Sequence, residues 1–194
     1  MRAFGKGVVV MFALIGVIAT VQQIRGQGQS TAPLEGGTFT HIGIVVKDID
    51  KTAKMFAEVY GITPPATARL YDNDGKGLPF PPNIVGNRNA KAKSMMLPIG
   101  NVRIELWEPV GGPSAWTDHL EKYGQSVHHL AFGVRDIEQS LRGLEAKGGR
   151  WVMGEPGGTS FKYVDMMDQL GYTVELGRQQ TPAAAAPQAP APAR

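Results

Sequence analysis

The 194-residue chain contains no cysteine. That excludes disulfides, thiolate nucleophiles, cysteine-based zinc sites and lipid attachment through a thiol. It also lacks a charge surplus outside its first residues. Residues 1–29 hold Arg2, Lys6 and Arg25 and no acid; in the remainder, basic and acidic residues balance at 17 each. With no basic stripe left, nucleic-acid binding has no electrostatic support. Nor is any apolar run of membrane-span length. The longest, "VVVMFALIGVIATV" at 8–21, has 14 residues, which is signal-peptide length and short for a span.

With "MRAFGKG" as its positive flank and "VIA" at 17–19 as a small-residue cleavage pattern, segment 1–29 reads as an export signal, or as an anchor if it stays uncleaved. The expected location is therefore periplasmic or secreted, with membrane contact only through an uncleaved segment. At the other end, 179–194 runs into "TPAAAAPQAPAPAR", a Pro/Ala tail that cannot build a core and is expected to be disordered.

An internal repeat organises the middle. "HIGIVVKDIDKTAKMFAEVYG" (41–61) aligns without a gap on "HLAFGVRDIEQSLRGLEAKGG" (129–149), at a constant offset of 88. Each copy is an apolar strand, an Asp suited to cap a helix, and an amphipathic helix ending at glycine. Ile49, Ala53, Phe56 and Tyr60 recur at helical spacing in the first, Ile137, Leu141 and Leu144 in the second. Later strands repeat too: "NVRIELWEP" (101–109) and "GYTVELGRQ" (171–179) place Glu105 over Glu175. "KSMMLPIG" (93–100) and "SFKYVDMMD" (160–168) supply a further strand each. The chain is thus α+β, two paired βαβββ modules spanning 38–110 and 126–178. A linker helix within 112–124, starting at Pro113 and stopping at Gly124, joins them. The first module is longer by 18 residues around "YDNDGKGLPFPPNIVGNRN" (71–89), which is either a surface loop or a flap over a pocket.

The repeat also selects candidate ligands. Each half offers a His opening its first strand (His41, His129) and a Glu in its last strand (Glu105, Glu175). The neighbours of each Glu are core residues, so its own side chain faces the opposite side. A buried, unpartnered carboxylate there would cost several kcal/mol. One divalent ion held by two imidazoles and two carboxylates removes that cost, and such ligation suits Zn, Mn, Fe, Co or Ni. By the same alignment His128 falls on Thr40, away from the site, which leaves it packing or supporting His129. His119 in the linker helix is expected at the solvent, and Trp107, Trp116 and Trp151 in core or pocket wall. "GEPGGTS" (154–160) lacks the Lys and the context of a phosphate loop and reads as a turn.

At "HIGIVVKDID", "GNVRIELWEP", "LEKYGQSVHHLAFGVRDIE" and "GYTVEL" the chain resembles the vicinal oxygen chelate superfamily, which includes glyoxalase I, bleomycin-resistance proteins and extradiol dioxygenases. Its nearest local similarity is to the methylmalonyl-CoA epimerase family. Over 38–178 the resemblance implies a glyoxalase-like fold with a metal site in the cleft, held by His41, Glu105, His129 and Glu175. It also implies a small-molecule carbonyl substrate that loses a proton beside the metal through an enolate, with Glu175 as base and Glu105 as its partner. A glyoxalase I-like lyase and a non-catalytic bleomycin-resistance-type binding protein are the alternatives, and a homodimer is compatible with any of them. The chain departs from the epimerase pattern in one place: no Glu lies between Glu58 and Glu105, where that family has a second acid–base group.

Overall fold

The computed structural model describes residues 32–72, 89–154 and 161–179. The expected export segment 1–29, the inner part of the 71–89 loop, residues 155–160 of the glycine-rich turn and the tail from residue 180 lie outside the described residues.

Chain order is β1 (Thr38–Val45), α1 (Ile49–Tyr60), β2 (Arg69–Asp72), β3 (Lys91–Ile99), β4 (Val102–Gly111), α2 (Ala115–Tyr123), β5 (Ser126–Val134), α3 (Ile137–Glu145), β6 (Arg150–Gly154), β7 (Lys162–Met166), α4 (Met167–Leu170) and β8 (Tyr172–Arg178). All eight strands form one sheet in the order β2-β3-β4-β1-β5-β8-β7-β6, curled into a half-barrel. The four strands of the first module fill one half and those of the second the other. In each, the first strand runs parallel to the last, β1 with β4 and β5 with β8. The modules meet along a single antiparallel seam, β1 against β5.

The repeat-equivalent acids Asp48 and Asp136 start the two main helices, each accepting a hydrogen bond at 2.9 Å from the backbone N–H three residues on. Both helices pack on the outside of the curl. Ile49 and Ala53 bury against Met95, Leu97, Ile104 and Leu106. Ile137, Leu141 and Leu144 bury against Val164, Met166, Val174 and Leu176. Tyr60, expected on the apolar face of α1, is exposed and stacks on Phe56.

Three expected boundaries move. α3 ends at Glu145 rather than running to Gly149, and Gly149 N–H turns back to the Leu144 carbonyl. The glycine is required because a Cβ there would lie 2.9 Å from that carbonyl and from Val164 Cγ1. α2 starts at Ala115, not Pro113, because the Ser114 hydroxyl caps it by accepting from Thr117 N–H. The strand expected over 160–168 stops at Met166. There Asp165 accepts from Met167 N–H, and one helical turn follows, closed by left-handed Gly171.

α2 breaks the symmetry. It lies inside the trough at one end, where Trp116 stacks on Trp107 at 4.1 Å and donates to the Tyr163 hydroxyl. Together with Val45, Ala90, Ala92 and Met153 these rings form a third core. His119, expected at the solvent, is buried on the inward face of α2, bonded to Ser126 Oγ at 2.9 Å and packed edge-on to His128.

Replacing either capping acid, Asp48→Ala or Asp136→Ala, should lower stability by about 1 kcal/mol. The sites are in separate modules and share no partner, so the double variant should lose about 2 kcal/mol in denaturant titration.

Candidate metal centre

Alternation along the strands decides what reaches the trough. Ile104 and Leu106 face the outer core, so Glu105 and Trp107 face inward. Val174 and Leu176 face outward, so Glu175 faces inward. β1 and β5 bring His41 and His129 between these two walls. The four residues chosen from the repeat therefore meet, their donor atoms all within 4.8 Å of one another.

His41 Nε2 lies 3.0 Å from Glu105 Oε2 and 3.2 Å from Glu175 Oε2. His129 Nε2 lies 2.9 Å from Glu175 Oε2, 3.9 Å from Glu105 Oε2 and 3.3 Å from His41 Nε2. Neighbouring ligand atoms around a divalent ion with bonds of about 2.1 Å stand about 3.0–3.4 Å apart, so most of these separations are those of a coordination shell. The donors also converge through single atoms, Nε2 of each ring and one Oε2 of each carboxylate. Two imidazoles and two carboxylates, neutral overall around a divalent ion, fit zinc, manganese, iron, cobalt or nickel.

Without an ion, protons take over part of its role. Burial pulls the His41 pKa down, but its hydrogen bonds to Glu105 and Glu175 outweigh it and raise the pKa from 6.5 to about 9. Burial pushes Glu175 up, but its bonds to His129 and His41 bring it from 4.5 to about 2. His128 is lowered well below the usual imidazole range, by burial and then by His129 and His119 beside it.

Backbone space is as tight as the side-chain geometry. Gly43 pairs with both Glu105 and His129, and a Cβ at Gly43 would fall inside the His129 ring. Only glycine lets that ring lie over β1. Around the site, Trp107 Nε1–H donates to Glu105 Oε2 at 2.9 Å, and the Tyr163 ring packs on His129. The centre opens into a cleft of about 640 Å³ at the end of the trough opposite α2. Arg69, Arg103 and Arg178 line it, and none of them forms an ion pair with any described residue. The only described acids lining the cleft are Glu105 and Glu175.

Sequence reasoning overlooked the tether from Trp107 and the three arginines. Spacing carried a signal for two of them, since Arg103 and Trp107 stand two residues either side of Glu105 on one strand.

Residues 40–164 match the model of the glyoxalase/bleomycin resistance protein/dioxygenase superfamily. Among solved structures, a hypothetical protein from Bacillus halodurans is similar at 21% identity and a TM-score of 0.55, covering 76% of this chain and 97% of that one. Methylmalonyl-CoA epimerase from Mycobacterium tuberculosis is similar at 21% identity and 0.53, covering 76% and 91%. A methylmalonyl-CoA epimerase in complex with methylmalonyl-CoA and NH4+ is similar at 24% identity and 0.50, covering 72% and 92%. At such identities these likenesses establish the fold alone. No curated protein matches the sequence.

If the four side chains hold an ion, the purified protein should carry about one equivalent after metal loading, and His129→Ala or Glu175→Ala less than a tenth of that, by elemental analysis. Full occupancy in both variants would refute the site. Chelator-treated protein should be most stable between pH 4.5 and 6.5 in thermal melts. The His41 contribution is complete below 6.5 and lost as pH rises through about 9; that of Glu175 is complete above 4.5 and lost as pH falls through about 2.

Proposed function

The chain belongs to the glyoxalase/bleomycin resistance protein/dioxygenase superfamily, and from that premise we propose that it is a divalent-metal-dependent proton-transfer enzyme of the epimerase type. The observation carrying this reading is the convergence of His41, Glu105, His129 and Glu175 at the closed end of a substrate-sized cleft. A bound divalent ion supplies a Lewis acid there, drawing electrons from a substrate carbonyl so that the adjacent carbon becomes acidic.

The chain's own residues handle the proton. Glu105 and Glu175 stand on β4 and β8, with β1 and β5 between them, and so approach the trough from opposite walls. Glu105 is tethered by the Trp107 indole, which fixes its orientation as a ligand. Glu175 has no such tether and is the base that takes the proton from the substrate carbon. Delivery on the other face falls to Glu105, which would enter the cycle protonated and give its own proton while Glu175 keeps the one it took, because no other described acid lines the cleft. The ordinary epimerase arrangement, with a separate second acid, is thereby reduced to the ligand carboxylates themselves.

Arg69, Arg103 and Arg178 favour a negatively charged substrate, such as a 2-substituted carbonyl compound carrying a carboxylate or phosphate. A coenzyme A thioester of the kind held by the solved epimerase meets that description. If segment 1–29 directs export, the substrate is instead an acid found outside the cytoplasm.

Proton NMR in D2O tests the proposal on metal-loaded protein with methylmalonyl-CoA and a panel of 2-substituted keto and thioester acids. Metal-dependent deuterium incorporation at the carbon next to the carbonyl is expected, falling at least 100-fold in Glu175→Gln. No exchange with any compound would replace the enzyme by a small-molecule binding protein.

A further inference from the structure

The seam between β1 and β5 contains two bulges, and they are themselves repeat-equivalent. Pairing steps from Phe39 with Phe132 to His41 with Ala131, leaving Thr40 unmatched. It then steps from Gly43 with His129 to Ile44 with Val127, leaving His128 unmatched. Thr40 and His128 are 88 positions apart, as His41 and His129 are. A bulge releases its extra residue from strict alternation. In consequence neither side chain simply points away from the site; each turns to the Nδ1 edge of the following histidine.

Proton counting identifies the state these contacts hold. The Thr40 hydroxyl donates its one proton to the Ala131 carbonyl at 3.2 Å. At 3.1 Å from His41 Nδ1 it therefore accepts, which fixes a proton on Nδ1 and makes Nε2, whose own proton faces Glu105 and Glu175, the nitrogen that would give up its proton to an ion. His128 Nδ1 lies 2.8 Å from His129 Nδ1, so one nitrogen carries the shared proton. With that proton on His129, its Nε2, which bonds Glu175 at 2.9 Å, is likewise the nitrogen left for an ion to take in place of a proton.

We propose that Thr40 and His128 are a matched pair of positioning residues, extruded by the two bulges to lock His41 and His129 in the tautomer that offers Nε2 as a ligand. The inference rests on the metal-centre reading above. The pair is matched in place but not in anchoring. Thr40 ties His41 to the backbone of β5 across the seam. His128 is itself held edge-on by Tyr163 at 5.1 Å and by His119 at 4.9 Å, and His119 is fixed through Ser126 Oγ to the Gly124 carbonyl. One ligand is thus oriented by the sheet, the other by the aromatic core under α2.

The full chain, loaded with cobalt(II), provides the test through its visible absorption and through affinity measured by chelator competition. Thr40→Val and His128→Phe keep volume but remove the acceptor, and each should weaken cobalt binding about tenfold or more and alter the ligand-field bands. Thr40→Ser and His128→Asn retain an acceptor and should restore most of the affinity and the wild-type spectrum. Thermal melts of the metal-free variants report packing separately. Wild-type affinity and spectrum in Thr40→Val or His128→Phe would overturn the inference while leaving the metal centre standing. So would losses that the acceptor-retaining variants fail to repair. Wild-type protein that binds no cobalt would overturn the metal centre and the pair together.

Discussion

Two carboxylates that approach from opposite walls of a narrow trough must have positive charge between them. Glu105 and Glu175 place oxygens within 4.8 Å of each other in a half-buried setting. There, like charges repel by roughly 3 kcal/mol even at an effective dielectric of 20. The rest of the site answers that repulsion. His41 and His129 stand between the walls, Gly43 clears room for a ring, and the indole of Trp107 draws off charge from one oxygen. An excess proton on His41 meets the need in part; a divalent ion meets it in full.

The fold satisfies this constraint by duplication and gives it direction by breaking the duplication. Symmetry alone would leave the trough alike at both ends, with the ligand cluster in the middle. α2 occupies one end, and the Trp116–Trp107 stack with Tyr163 fills it. Among the described residues the other end stays open, and it carries the arginines. Among the described residues, a centre built from equivalent halves is thereby entered from one side. The same plug reaches the candidate ligands through Tyr163 and Trp107, so packing under the linker helix and geometry at the centre are one problem.

Much of this was legible in the residues because a gap-free repeat turns single observations into pairs. A lone His on a strand says little; His41 and His129 at the same place in two copies mark a candidate ligand position, and Glu105 over Glu175 marks its complement, and the structure brings all four within 4.8 Å. The caps Asp48 and Asp136 were readable for the same reason. What escaped lies where the copies differ or where alternation fails. α2 has no counterpart in the repeat, so nothing predicted that His119 would lie on its buried face. His128 was assigned away from the site by strict alternation, and a bulge overrides that rule without leaving a sign in composition. The shortened α3 and the extra turn α4 follow from close approaches at Gly149 and a local bond from Asp165, contacts that exist only once the sheet is assembled.

The seam has a consequence for how the chain holds together. Within each module every strand pairs with one from the same module, so among the described strands only the β1–β5 pairing joins the two modules. An ion drawing one His and one Glu from each side of that seam would act as a cross-link, closing a loop of 88 residues between His41 and His129. Loops of about that length lose enough freedom on closure to shift stability by several kcal/mol. In a chain without a single cysteine, the site read as chemical would then also be a clasp between its two halves.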